Sequence, residues 1–246
     1  MTMRRSAGGA ATAGGMDFQH RVTAWVATRI LAEKEVSLPW DLPVTATLEW
    51  LRCETEQPVD DLLVGTSDGG LVYSQIKHTL QLSASTNSDL ASAFGQFVRQ
   101  FAAYRATSPG KRPWERPLDP VRDRFVLITG PGSSLPIRAY LPTVLDRLRG
   151  LVQGQPLDDA VVNQEERRVL SVAADHVTRA WQAALGGVPA DNDIRQLLSL
   201  IRVQVLDVDD GGADEHEAKD RLRNTILHDP GQANTAWALL IRHYRV

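Results

Sequence analysis

The fold of this chain is constrained most by a turn signal between two strand-like segments. Residues 61–65 form a short apolar run that begins with an aspartate, Asp68-Gly69-Gly70 follows, and residues 71–77 have the pattern of a return strand. Asp-Gly and Gly-Gly pairs between such segments are strong signals for a tight turn. We therefore predict two antiparallel strands, and a hairpin of this kind needs further strands or a helix to be stable.

The segments before the hairpin predict a helix and a strand. Apolar residues recur at steps of three and four across residues 18–31, as on the buried stripe of an amphipathic helix. We predict that this helix is capped by Asp17 and ends near Glu35. Residues 44–53, with threonines and a tryptophan, predict a first strand.

The segments after the hairpin predict a second helix and a parallel strand. Apolar residues across 90–101 have helical spacing, and Ser88 or Asn87 can cap this helix. The run Phe-Val-Leu-Ile-Thr at 125–129 is apolar on both faces, which is typical of a central parallel strand covered by helices. The predicted fold class is therefore α/β, with the order α-β-β-β-α-β.

Beyond Gly130 the sequence is mostly helical in pattern. Helical spacing is found at residues 135–153, 165–185, 193–200, 215–227 and 233–243, and residues 203–208 predict one more strand. We predict three parts: a flexible lead at 1–15, a core at 16–155, and a mostly helical accessory region at 156–246.

Composition narrows the class of protein. The chain has 246 residues, of which 43% are hydrophobic, so it can bury a sizeable core. The net charge of -3 gives no global basic signature, so contact with nucleic acid requires a local basic surface. A single cysteine, Cys53, excludes an internal disulfide. No apolar stretch reaches the length of a membrane span, and we expect a soluble cytoplasmic protein.

Two polar residues at the end of the return strand suggest chemistry. Gln75 and Lys77 are two positions apart, so both project from the same face of a strand. The hairpin brings Asp61 from the neighbouring strand towards them. Hydrolysis of a phosphodiester needs hard oxygen ligands for a divalent ion and a cation that orients water, and these residue types match that need.

The length of the turn decides which aspartate takes part. A two-residue turn at Asp68-Gly69 pairs Asp60 with Lys77, whereas a three-residue turn that includes Gly70 pairs Asp61 with Lys77. We favour Asp61.

These motifs resemble those of a known superfamily. A helix carrying Phe18-Gln19, the segment V-D-D-L-L-V at 59–64 and Q-I-K at 75–77 resemble the PD-(D/E)xK nucleases in their Q-x-K variant. More narrowly, they are similar to the double-stranded DNA endonuclease domain of bacterial antiphage effectors, including those associated with CD-NTases and STAND ATPases. The resemblance covers residues 8–130 well and the remainder loosely.

The resemblance assigns roles to individual residues. It implies that Asp61 and Gln75 hold Mg²⁺ or Mn²⁺ and that Lys77 serves the attacking water. It also implies that Gln19 lines the site from the first helix. Because Gln75 replaces an acid, weaker metal binding is expected unless Glu54 or Glu56 compensates, and we take Glu54 as the third metal ligand.

The resemblance also implies an activity and partners. The expected function is metal-dependent cleavage of double-stranded DNA in antiphage defence, by a homo-oligomer that works with a sensor or ATPase domain or subunit. The alternative is a catalytically inactive nuclease-fold module that binds DNA or a protein partner.

Three other features have simpler interpretations. Residues 130–134, Gly-Pro-Gly-Ser-Ser, lack the lysine of a phosphate-binding loop and predict an ordinary turn. The arginines and lysine of residues 111–124 are compatible with a DNA contact or with a solvated loop. His78 is interpreted as a surface residue at a strand end.

Overall fold

A mixed five-stranded sheet forms the centre of the protein. The computed structural model describes residues 7–32, 39–43, 45–106, 110, 112, 114–152 and 154–245. The strands, in chain order and also in their order across the sheet, are β1 (Leu48–Cys53), β2 (Leu62–Thr66), β3 (Leu71–Lys77), β4 (Arg124–Thr129) and β5 (Ile201–Val205). β1, β2 and β3 pair antiparallel, whereas β3, β4 and β5 pair parallel.

Helices cover both faces of this sheet. In the described part of the chain they are α1 (Ala7–Leu31), α2 (Asp89–Ala106), α3 (Leu141–Gly150), α4 (Gln164–Leu185), α5 (Asp191–Leu200), α6 (Ala213–Arg221) and α7 (Ala233–His243). The predicted α/β class and the predicted order of one helix, three strands, one helix and one strand are confirmed. Among the described helices, none is both long enough and apolar enough to cross a bilayer.

Two apolar cores lie on opposite sides of the sheet. The α2-side core contains residues of α2, α3, α4 and α5, and the α1-side core contains residues of α1, α6 and α7. Alternation along β3 divides its side chains between them, with Leu71 and Tyr73 in the first and Val72 and Ile76 in the second. By the same alternation, Gln75 and Lys77 lie on the α2 side.

The first helix is longer than predicted. It begins at Ala7, so the predicted cap at Asp17 is wrong, and residues 7–15, predicted as a flexible lead, are helical. Alanines favour this extension because they have the highest helix propensity, and lengthening an existing helix is easier than starting one. Asp17 instead accepts a hydrogen bond from Arg21 Nε at 2.7 Å, one turn further along. The predicted end near Glu35, like residues 1–6, lies outside the described residues.

The C-terminal part is built into the same sheet. β5 pairs with β4 along its whole length, α4 packs on α2, and α6 and α7 pack on α1. The predicted boundary between a core at 16–155 and an accessory region at 156–246 therefore does not coincide with a break in packing. Its mostly helical character and the extra strand are as predicted.

Candidate functional site

The β2–β3 hairpin has a register that differs from both predicted ones. Leu62 pairs with Ser74 and Gly65 pairs with Leu71. Continuing this register one step beyond β2 places Asp61 opposite Gln75, whereas both predicted turns paired an aspartate with Lys77. Residues that face each other across antiparallel strands share a face, so Asp61 and Gln75 project to the same side.

The turn explains the difference in register. Thr66 N donates to Gly70 O at 3.0 Å, which closes a loop of Ser67, Asp68 and Gly69. Gly69 has φ of 77°, in the left-handed region that glycine adopts without strain. The sequence offers two adjacent glycines, and the left-handed conformation falls on the first of them.

Asp61 and Gln75 are in direct contact. The Gln75 side-chain amide donates from Nε2 to Asp61 Oδ2, and Ile76 N donates to the same oxygen at 2.7 Å. Gln75 is 1% exposed, so its amide is enclosed by the protein. The hairpin therefore fixes the carboxylate with one side-chain donor and one backbone donor.

The electrostatic environment of Asp61 disfavours its ionised form. Burial raises the pKa of Asp61 above its usual value, and the charges of Asp60 and Glu54 act in the same direction. The hydrogen bond from Ile76 N and the positive charge of Lys77 oppose this rise. A cation beside Asp61 would supply the missing compensation, since an opposite charge stabilises a buried carboxylate.

An unsatisfied amide oxygen lies next to this carboxylate. Gln75 Oε1 is buried and has no hydrogen-bond partner among the described residues. Buried polar atoms without a partner are rare and costly, at about 1–3 kcal/mol each. Within the described residues no group of three or more His, Cys, Asp and Glu side chains is arranged to hold a metal ion. A carboxylate and an amide oxygen are nevertheless ligands of the kind that Mg²⁺ accepts, with water completing its shell.

Asp60 belongs to a different set of contacts. Its carboxylate is exposed and accepts a hydrogen bond from Gln96 Nε2 of α2 at 3.2 Å. Gln100, one turn along α2, is fully buried and accepts from Val59 N at 3.2 Å. These glutamines hold the segment that leads into β2. Sequence reasoning missed them, although their i,i+4 spacing on an amphipathic helix is a visible signal.

Gln19 lies apart from the Asp61 group, whereas Glu54 lies close to both Asp61 and Gln19. α1, which carries Gln19, packs on the face of the sheet opposite to Gln75. Cys53 pairs with Leu62, and Thr55 N donates to Asp60 O at 3.2 Å, so Glu54 stands beside Asp61 on the neighbouring strand. Its backbone is left-handed, with φ of 47°.

Gln19 and Glu54 share a cavity of about 230 Å³. The side chains that line it come from α1, from the end of β1 and from the end of α7: Gln19, His20, Thr23, Cys53, Glu54, His243 and Tyr244. The structure thus brings the predicted residues together in two groups, Asp61 with Gln75 and Lys77, and Gln19 with Glu54. The exposed Glu56 joins neither and pairs with Arg112 at 3.4 Å.

The basic segment before β4 is occupied by internal contacts. Arg116 and Asp123 form a pair at 2.6 Å, Arg122 and Asp119 form another at 2.8 Å, and Arg124 donates to Asp123 O at 2.8 Å. These contacts support a structural role for the described arginines over a DNA contact. Lys111 lies outside the described residues.

The loop after β4 is an ordinary turn, as predicted. Ser133 Oγ accepts from Leu80 N at 2.8 Å, and Ser134 N donates to Leu80 O at 2.9 Å. Gly130 N donates to His78 O at 2.9 Å. These groups fasten the chain that leaves β3 and are not directed at a ligand. The His78 ring contacts Asp209 Oδ2 at 2.9 Å.

Comparisons with known proteins do not assign this chain to a family. No protein-family model matches the sequence, and neither the curated proteins nor the solved structures searched give a match.

Proposed function

We propose that this protein is a metal-dependent endonuclease of the PD-(D/E)xK type that hydrolyses phosphodiester bonds of double-stranded DNA. The observation that carries the proposal is the pairing of Asp61 with a buried Gln75 whose Oε1 has no partner among the described residues. Lys77, two positions along the same strand, is close enough to influence the pKa of Asp61. Acid, amide oxygen and ammonium thus occupy one end of a rigid hairpin.

The residues have separate tasks in this proposal. Asp61 and Gln75 would hold Mg²⁺ or Mn²⁺ through oxygen atoms, and Glu54 on the neighbouring strand adds a negative charge nearby. The bound ion would neutralise charge that develops on the phosphoryl oxygens. The half-buried Lys77 ammonium orients the attacking water and attracts the phosphate. An amide can present either its nitrogen or its oxygen, so Gln75 can donate to Asp61 or join it as a ligand.

The elements around the site support this type of core. An antiparallel β1–β2–β3 unit continues into the parallel strand β4 through α2, with α1 on the other face. This order agrees with the α-β-β-β-α-β arrangement of the nucleases that the motifs resemble. By the same resemblance, we propose a role in antiphage defence, as a homo-oligomer that acts with a sensor or ATPase.

One observation favours the alternative of an inactive module. In the described structure Gln75 offers its nitrogen, not its oxygen, to Asp61, and this bond and the one from Ile76 N both occupy Asp61 Oδ2. A site with one acid and one amide binds a divalent ion less strongly than a site with two acids. A module that had lost activity would retain DNA and fail to cut it.

Plasmid cleavage tests the two functions directly. Supercoiled plasmid, linear duplex and RNA are incubated with the protein in Mg²⁺ or EDTA. We expect cleavage of both DNA substrates in Mg²⁺ only, and a loss of at least about a hundredfold in Asp61→Asn and Lys77→Ala. Asp60→Asn is the matched control, because it alters the adjacent exposed carboxylate and should keep the wild-type rate.

Two results would reject the proposed function. Full cleavage by Lys77→Ala would remove the lysine from the chemistry, and cleavage in EDTA would remove the metal. DNA retention without cleavage in any metal would favour the inactive module.

A further inference from the structure

The cavity between α1, β1 and α7 offers space of a defined size. Its volume is about 230 Å³, which at about 30 Å³ per water is the space of roughly seven or eight waters. This is smaller than the roughly 300–1,000 Å³ of sites for drug-sized ligands. A single flat ring system with about ten non-hydrogen atoms, such as a nucleobase, has the appropriate size.

Several polar side chains line this cavity. They are the Gln19 amide and the Tyr244 hydroxyl, on partly buried residues, and the carboxylate of the exposed Glu54. Among the lining groups, His20 Nδ1 is buried without a hydrogen-bond partner in the described part of the chain. By contrast, the Thr23 hydroxyl donates to Gln19 O at 2.9 Å. A small concave space on which a few polar groups converge is typical of a ligand site.

The charges favour a base over a phosphate. Glu54 is an acid, and burial together with Arg245 lowers the pKa of His20 below its usual value, so the imidazole is neutral near pH 7. Burial raises the pKa of Tyr244, so its hydroxyl also stays neutral and can donate. A phosphate would meet the Glu54 carboxylate here, whereas an exocyclic amine would find an acceptor in it.

We propose that this cavity receives an unstacked nucleobase that carries an exocyclic amine, with adenine preferred over thymine. A glutamine amide presents one donor and one acceptor side by side, which match the N7 and N6 positions of adenine. Thymine has no amine to donate to Glu54. Tyr244 supplies an aromatic ring of the kind on which extruded bases stack.

The position of the cavity suits a base from the strand that is cut, so the inference rests on the proposed function. Glu54 lines the cavity and stands beside Asp61 on the neighbouring strand. Neighbouring strands are about 4.8 Å apart. The cavity lies on the α1 face and the Asp61–Gln75 pair on the α2 face, so the cut strand would pass around this end of the sheet to contact both.

Fluorescence anisotropy in EDTA tests the cavity without any catalytic step. The probes are labelled duplexes that differ only in one unpaired position, which is adenine, thymine or abasic. We expect the protein to bind the unpaired-adenine duplex about tenfold more tightly than the other two. Gln19→Leu and Tyr244→Ala should each remove this preference and keep the affinity for the abasic duplex. Gln182→Leu, on the exposed side of α4, is the matched control and should keep the preference.

Equal affinity for the three duplexes would overturn the inference, and so would an adenine preference that survives in both Gln19→Leu and Tyr244→Ala. Circular dichroism identifies a variant that fails to fold. In that case the adenine preference of the other variant decides whether the inference holds. Plasmid cleavage measured in parallel separates this inference from the nuclease. Cleavage without a base preference supports the nuclease proposal and rejects the cavity as a base site. A base preference without cleavage supports the cavity as a base site and rejects the nuclease proposal.

Discussion

Replacing Asp123 by alanine tests how the sheet is held at the start of β3 and β4. The Asp123 carboxylate is 1% exposed and accepts four hydrogen bonds. Two come from the Arg116 guanidinium, at 2.6 and 2.8 Å, and two come from the backbone nitrogens of Leu71 and Asp119, at 2.9 and 2.7 Å. The alanine variant removes all of these acceptors at once.

The expected loss of stability follows from the hydrogen-bond donors that the substitution leaves without an acceptor. Two backbone N-H groups lose their acceptor, at about 1–3 kcal/mol each. Arg116 still donates to Gly69 O at 2.8 Å and is partly exposed, so its share is small. The sum is about 4 kcal/mol, within the roughly 3–5 kcal/mol for breaking a buried pair. For a chain of this length that corresponds to a fall in Tm of roughly 8–16 °C.

Urea unfolding followed by tryptophan fluorescence measures this loss. Asp119→Ala is the control, because its carboxylate is only partly buried: it pairs with Arg122 and accepts a surface bond from Val121 N, and such pairs contribute about 0–1 kcal/mol. A free energy of unfolding for Asp123→Ala within about 1 kcal/mol of that for Asp119→Ala would refute the role assigned to the buried carboxylate.

Three further predictions concern the candidate site and the hairpin. Because burial raises the pKa of Asp61, the folded state loses stability as pH rises above about 4, where the unfolded aspartate ionises. Asp61→Asn should therefore have a higher urea midpoint than the wild type at pH 7 and the same midpoint at pH 3; equal midpoints at both pH values would contradict this. Mg²⁺ at a hundredfold excess over its Kd should stabilise the wild type by about 2.7 kcal/mol in thermal scans and leave Asp61→Asn unchanged. An equal shift in both proteins would place the ion elsewhere. Gly65→Ala adds a Cβ that overlaps the Trp50 indole and should destabilise the protein by about 1–3 kcal/mol. Gly150→Ala, where the Cβ meets nothing, is its control, and similar urea midpoints for these two variants would count against the packing of Trp50 on the hairpin.

Local sequence signals predicted much of the fold. β3 and α7 have the predicted bounds, and β4 lies parallel to β3 as its apolar run indicated. Ser88 caps α2 by accepting a hydrogen bond from Ala91 N at 3.1 Å. These features depend on residues close together in the chain, where periodicity and capping carry the information.

The site was predicted less completely, for two physical reasons. The register of the hairpin depends on whether Gly69 or Gly70 takes the left-handed conformation, and both residues can adopt it. The cavity depends on Gln19, Glu54 and Tyr244, which come from three distant segments and meet only through tertiary packing. Predicting the pairing of Asp61 with Gln75 required the observed register of the hairpin.

The pairing of β5 with β4 has a practical consequence for anyone who shortens this protein. All six residues of β4 are buried, and β5 takes up the backbone groups along one of its sides. A truncated version that stops before residue 156 would turn β4, a buried strand with four consecutive apolar residues, into an open sheet edge, which invites self-association. The C-terminal residues 156–246 supply the strand that covers this edge of β4. The protein therefore has to be expressed and handled with both parts together.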